Sequence, residues 1–339
     1  MGPNTTADAK AWLRLTLKYQ EPDPLRSAWQ LLNSFVPYVA LWYLMFRSLA
    51  VSYWLTLALA PLAAGFMIRL FIIFHDCGHG AFFKSKRLSD FIGYVTGVMT
   101  FTPYFRWRHD HAKHHATSGD LDRRDLGGEI WTLTVEEYLA ASFSTRLRYR
   151  IYRHPLVMFL IGPMILFAVA QRLTHRREHK RERASVWWTN LGVVVLVGGL
   201  IATMGLKAYL MIQLPISLIG GAAGVWLFYV QHQFESVYWE RHDVWEYLPA
   251  ALHGSSYYRL PRILQWFSGN IGFHHIHHLC PRIPNYFLQR CHEENPALAA
   301  IPSITLFSSL RSLGFRLWDE ERRQMVGFGY LRGHKRAQA

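Results

Sequence analysis

The chain has 339 residues, 51% hydrophobic and 15% aromatic, with 37 Lys and Arg against 23 Asp and Glu, a net charge of +14. No nucleic-acid motif accompanies that charge, so it reads mainly as the basic cytosolic face of a membrane protein. Three cysteines, Cys77, Cys280 and Cys291, without paired or CxxC spacing exclude a disulfide scaffold and a dithiol relay.

Residues 1–30 carry Asp8, Glu21, Asp23 and three prolines, unlike a secretory leader or transit peptide. Within them, residues 7–19 read as an amphipathic helix lying on the membrane. The first span is expected at Leu32–Phe46, with a tight turn at Ser48–Leu49. The second is expected at Val51–Phe74. Arg69 lies five residues from the end of that run and is expected to snorkel to the surface. The stretch Phe91–Phe105 is short, contains Pro103 and suits an interfacial segment. Residues 106–154 are polar and basic, which places them on the cytosolic side.

Three apolar runs follow, at Pro155–Gln171, Val186–Leu206 and Ala208–Val230. The first is broken by Gly162-Pro163. It is followed by Arg172, Arg176, Arg177, Lys180, Arg181 and Arg183, a cytosolic signature, so it is expected to enter and leave on one face. The other two form a hairpin turning at Lys207. Gly220 and Gly224, spaced GxxxG, are read as a close helix contact, with room for a substrate chain as the other reading. The tail from Arg316 is charged and reads as a surface segment. The expected architecture is an all-α polytopic membrane protein. It has four transmembrane helices in two hairpins, re-entrant or interfacial helices, and a cytosolic helical cap carrying a dimetal site. Its divisions are an N-terminal interfacial segment (1–30), a membrane domain with its cap (31–310) and a C-terminal tail (311–339), with both termini cytosolic.

The 18 histidines are not scattered. His75 and His79 fall in HDCGH, His111, His114 and His115 in HAKHH, and His274, His277 and His278 in HHIHH; His232 follows the last span. Spacings of three and four residues align side chains on one helical face. Imidazole ligates several first-row ions, and structural zinc sites take four donors, so nine suit two ions of higher coordination number. Parity of the spans puts every box on one face. Asp76, Asp110 and Asn270 are candidates to orient these rings by accepting or donating at the second nitrogen. His109 and His275 break the spacing and are read as outer or exposed. No GxSxG, phosphate loop or HExxH competes.

These motifs resemble those of the membrane-bound fatty acid desaturases, a pattern shared with membrane hydroxylases. HDCGHGAFF, WRHDHAKHHATSGDLDRR, FYVQHQFE and GNIGFHHIHHLCPRIPNY look like the acyl-lipid branch, specifically bacterial omega-6 (delta-12-type) desaturases. The resemblance implies two iron ions on the nine histidines, O2 as co-substrate and a membrane lipid acyl chain as substrate. It also implies a separate electron donor of the ferredoxin or cytochrome b5 type, and a bacterial cytoplasmic membrane location. In the acyl-CoA branch an Asn four residues before the extra histidine helps hold one iron through water. That position is Phe228 here, so the role does not transfer. A hydroxylase, acetylenase or carotenoid-modifying oxygenase would use the same boxes. A metal carrier or zinc-dependent receptor would instead carry its ligands along a path inside the spans.

Overall fold

A computed structural model describes residues 5–337 except 127, 177, 300 and 302, so Arg177 of the basic run lies outside the described residues. Helix α1 (Thr5–Thr16) leads through a tight turn to α2 (Pro24–Ser48). The turn's Tyr19 is buried, and its hydroxyl donates to Glu294 at 2.6 Å, which pins the N-terminal segment to the cap. Asp23 caps α2 by accepting from the Leu25 and Arg26 amides at 2.9 and 3.2 Å, with Pro24 at the first helical position.

A four-residue turn joins α2 to α3 (Tyr53–His79). Helix α3 does not stop at the end of its apolar run. It continues through the first histidine box and ends on Gly80, whose φ of 67° is the left-handed conformation a glycine adopts without strain. Helix α4 (Lys86–Met99) lies against α3, and α5 (Tyr104–Thr117) carries the second box.

The cap continues with α6 (Val135–Ala140) and α7 (Phe143–Tyr152). The segment Val157–Arg172, which contains α8 (Gly162–Ala168), is bent by 62° from α7. Pro163 lacks an amide proton, and the turn before it widens to π-type pairing over Val157–Ile161. Helices α9 (Lys180–Met204) and α10 (Leu206–His232) then form a hairpin. The hairpin turns at Gly205 rather than Lys207, because φ of 83° there suits a residue without a side chain.

Helices α3, α9 and α10 are each long and apolar enough to cross a membrane, and the bent α7–α8 pair is a further candidate as a broken span or re-entrant loop. Helix α2 has 25 residues, ample for a crossing, but is less apolar. It packs along α3 and exposes Val36, Val39, Tyr43 and Leu44. Helix α10 packs on α3 through Gly220. A Cβ there would fall 2.3 Å from Met67 Cε, whereas one at Gly224 would meet nothing within 4 Å. The close contact expected of the GxxxG pair thus falls on its first glycine.

Arg69 corrects the snorkelling expectation. It is buried and turns inward, with its guanidinium 3.8 Å from the ring centre of Trp266. It donates to Asn33 Oδ1 on α2 at 3.3–3.4 Å and to the Trp266 carbonyl. Three acceptor contacts and an aromatic face are available inside, so the chain does not need water.

Over the helix ends sits a cap of α11 (Tyr247–His253), α12 (Arg262–Phe267), α13 (His274–Leu279), α14 (Asn285–Glu294), α15 (Pro296–Ala299) and α16 (Tyr330–Ala337). Five short strands, which helical periodicity does not reveal, stitch it together. They are β1 (Leu133–Thr134), β2 (Tyr257–Arg259), β3 (Ser303–Thr305), β4 (Leu317–Asp319) and β5 (Gln324–Val326). Strand β1 runs parallel to β4, β4 antiparallel to β5, and β2 parallel to β3. The C-terminal region is therefore not a loose surface segment. Leu317 and Trp318 are buried, and Arg153 donates to the Phe315 carbonyl at 3.1 Å.

Candidate metal centre

Four elements bring the boxes together beneath the cap: the end of α3, the length of α5, the last residue of α10 and the short α13. His75, His79, His111 and His277 each offer a ring nitrogen within 4.8 Å of the others, and so do His114, His232, His274 and His278. His115 joins the first group: its Nε2 lies 3.1 Å from that of His111 and 3.0 Å from that of His277. The partition follows from spacing. On α5 the i,i+4 pair His111 and His115 faces one group, and His114, one residue off, faces the other. On α13 the i,i+4 pair His274 and His278 serves the second group, and His277 crosses to the first.

Ring nitrogens meet ring nitrogens. Nε2 of His75 lies 3.1 Å from His111, His114 lies 3.2 Å from His232, His232 lies 2.9 Å from His274, and His274 lies 3.1 Å from His278. Their other nitrogens decide what those contacts are. His232 Nδ1 lies 3.0 Å from the Gly254 carbonyl, which can only accept, so Nδ1 carries the proton and Nε2 presents a lone pair. His114 Nδ1 stands 3.0 Å from Glu129 Oε1, both side chains buried, a close contact without hydrogen-bond geometry. His75 Nδ1 stands 3.1 Å from Asp76 Oδ1. A cation among these converging nitrogens would be held by their lone pairs. Nitrogens about 2.1 Å from one ion and at right angles stand about 3.0 Å apart. The spacing therefore fits ions with more than four ligands, and an all-nitrogen donor set suits a first-row transition metal.

Five of the imidazoles are held unprotonated by their surroundings. Burial, then the proximity of the other imidazoles, holds His111, His115, His274, His277 and His278 well below the usual histidine range. Trp107 stacks on His111 with ring centres 4.3 Å apart, and Phe228 stands 5.1 Å from His114 and 5.2 Å from His232. Gly78, inside the first box, makes room for that indole, since a Cβ would lie 2.8 Å from it.

The three candidate orienting residues fare differently. Asp76 Oδ1 faces His75, and its Oδ2 accepts from the Asn285 amide and side chain at 2.7 and 2.8 Å, tying the first box to α14. Asp110 is exposed on the outer face of α5, turned away from the cluster. Asn270 sits in a turn with φ of 58° and donates to the Asn285 carbonyl at 3.2 Å, so it shapes the chain before α13 without touching a ring. Glu129 was not legible beforehand: it lies in a loop after α5, and nothing in its neighbours marks it. His275 is fully buried beside Tyr257 and His292, where burial pushes it down to about 3; it packs outside both groups.

Two nitrogen-rich groups of histidines thus lie at the ends of long apolar helices. The fatty acid desaturase family model matches residues 52–307, which include all of these histidines. The chain belongs to the fatty acid desaturase family. It is 50% identical over 310 residues to a protein named "Fatty acid desaturase" from Bacillus subtilis (strain 168), covering 91% of this chain and 88% of that one. It is also similar to the "Omega-3 fatty acid desaturase, endoplasmic reticulum" of Vigna radiata var. radiata, 31% identical over 65% of this chain and 59% of that one. With the "sn-1 acyl-lipid omega-3 desaturase (ferredoxin)" of Synechocystis sp. (strain ATCC 27184 / PCC 6803 / Kazusa) it shares 27% identity over 66% of this chain and 62% of that one. Family membership makes this desaturase an oxidoreductase of lipid metabolism, and its helices suit a membrane.

Proposed function

We propose that the chain is an O2-dependent acyl-lipid desaturase with two iron ions held by His75, His79, His111, His115 and His277 on one side and His114, His232, His274 and His278 on the other. The observation that carries this reading is the convergence of Nε2 atoms at 2.9–3.2 Å, with the Nδ1 proton of His232 held by the Gly254 carbonyl. When bound, the iron pair supplies an oxidant made from O2 and two electrons, which removes one hydrogen from each of two adjacent carbons. With two protons the products are a double bond and two waters.

The residues of the chain set the conditions for that chemistry. Asp76 and the Gly254 carbonyl orient His75 and His232, and the buried Glu129 carboxylate stands beside His114. Trp107 and Phe228 wall the cluster against water. The acyl chain enters from the bilayer, between the spans, and passes below the metals. Both termini are cytosolic, in a bacterial cytoplasmic membrane. Electrons come from a separate ferredoxin or cytochrome b5-type carrier; a net charge of +14 favours an acidic one.

For the position of the double bond we propose the omega-6 (delta-12) type on the motifs quoted above. The relatives' names favour a second reading, omega-3. Fatty acid profiling of a host expressing the chain, with double bonds located by derivatisation, separates the two. A new omega-6 bond supports the first reading and an omega-3 bond the second. An added hydroxyl, or an unchanged profile in a host shown to supply the electron carrier, overturns the desaturase assignment.

A further inference from the structure

A second constellation lies on the outside of α5, away from the nine histidines. His109 leaves the face of the second box and points towards the start of α9. There His179 precedes the first turn and Glu182 sits within it. One donor atom from each of these three side chains falls within 4.8 Å of the others. His109 Nδ1 is 3.5 Å from Glu182 Oε1, and the two imidazole centres are 5.8 Å apart. Glu182 is buried, and its other oxygen accepts from the His179 amide at 3.2 Å, which fixes the direction of the free one. Two of the neighbouring cations are engaged elsewhere, Arg106 with the Leu173 carbonyl at 2.6 Å and with Glu178, and Arg181 with Asp90; Lys113 lies one turn on from His109 along α5. Asp110 lies within electrostatic reach of His109 and Glu182 and adds negative potential.

Two imidazoles and a carboxylate are a borderline-soft donor set that leaves a fourth position for water. We propose that His109, His179 and Glu182 bind a divalent first-row ion such as Zn2+, separate from the histidine cluster. The ion clips the outer face of α5 to the start of α9. His179 is exposed, so its ring is free to turn towards the ion. The clip joins two elements that are far apart in sequence, so it stabilises the folded cap without taking part in the reaction.

The test is a Co2+ and Zn2+ titration of the purified full chain in detergent, loaded beforehand with its own metals. Four-coordinate Co2+ gives a visible d–d absorption band. The proposal expects one equivalent to bind with that band and to raise the unfolding temperature. It expects affinity to fall by at least about tenfold in His179→Ala, and likewise in Glu182→Gln, the loss that even an outer partner of a metal site commands. Because His179 is a surface residue, H179A keeps the fold and the resident metals. Equal binding by H179A and the parent chain, or no band at saturating Co2+, overturns the proposal. Since the readout is bound ion at a distinct stoichiometry, its failure leaves the desaturase reading untouched.

Discussion

His114 Nε2 and His232 Nε2 stand 3.2 Å apart; the His232 proton sits on the far nitrogen, held by the Gly254 carbonyl, and Glu129 Oε1 stands 3.0 Å from His114 Nδ1. His232 therefore presents a lone pair to His114, an arrangement suited to sharing a cation. Residues 118 positions apart are aligned this way because α5 and α10 both end under the cap.

Glu129 is expected to control that alignment. Glu129→Gln keeps the shape but removes the charge that favours a proton on His114 Nδ1. Loss of such a partner typically costs 10–100-fold in metal affinity or activity. Iron per chain and double bonds formed in an expressing host measure it. Asp110→Asn, on the exposed side of α5, should change neither by more than about twofold.

Acid should destabilise the chain, and the sign follows from burial. The folded state holds His111, His115, His274, His277 and His278 below the ordinary histidine pKa. The unfolded chain takes up protons near pH 6.5 and the folded chain does not. Stability is thus complete above about pH 6.5 and falls as pH drops below it, by up to about 1.4 kcal/mol per pH unit for each such group. Bound metal is released over the same range, since the ligating nitrogens must stay unprotonated. Metal retention and unfolding temperature, followed from pH 8 down to pH 5 (about the range in which free imidazole titrates), should decline together. A flat profile would count against buried neutral imidazoles.

Arg69→Met should destabilise the membrane domain. The substitution keeps the apolar stem but leaves the Trp266 carbonyl and Asn33 without their donor. An unsatisfied buried acceptor costs about 1–3 kcal/mol. Unfolding in detergent should show that loss, whereas a snorkelling arginine would tolerate the change.

The two glycines of α10 should behave differently. Gly220→Val drives a side chain into Met67 and Ala64 of α3, and overpacking of this kind costs about 1–3 kcal/mol. Gly224→Val meets open space and should leave stability within about 0.5 kcal/mol of the parent. Unfolding of the two variants side by side checks the contrast.

The apolar runs and histidine spacings made the helices and the donor set legible, because both are local patterns. Helix α3 was placed and HDCGH was read as helical from its spacing, and the structure makes the two one continuous helix ending at Gly80. The division of each box between two groups was not legible, since it depends on how α5 and α13 face each other. Glu129 and the inward turn of Arg69 arise from contacts across the fold, which spacing along the chain does not encode. The strands that bind residues 317–326 to Leu133 are two or three residues long, too short for a periodic signal.

The most direct measurement is the metal content of the purified chain, by elemental analysis with iron, zinc and copper read together. The proposed centre calls for two irons per chain and a clear loss of iron in His232→Ala, whose nitrogen stands between those of His114 and His274. Zinc at two or more equivalents with iron near zero, or iron undiminished in that variant, would contradict it.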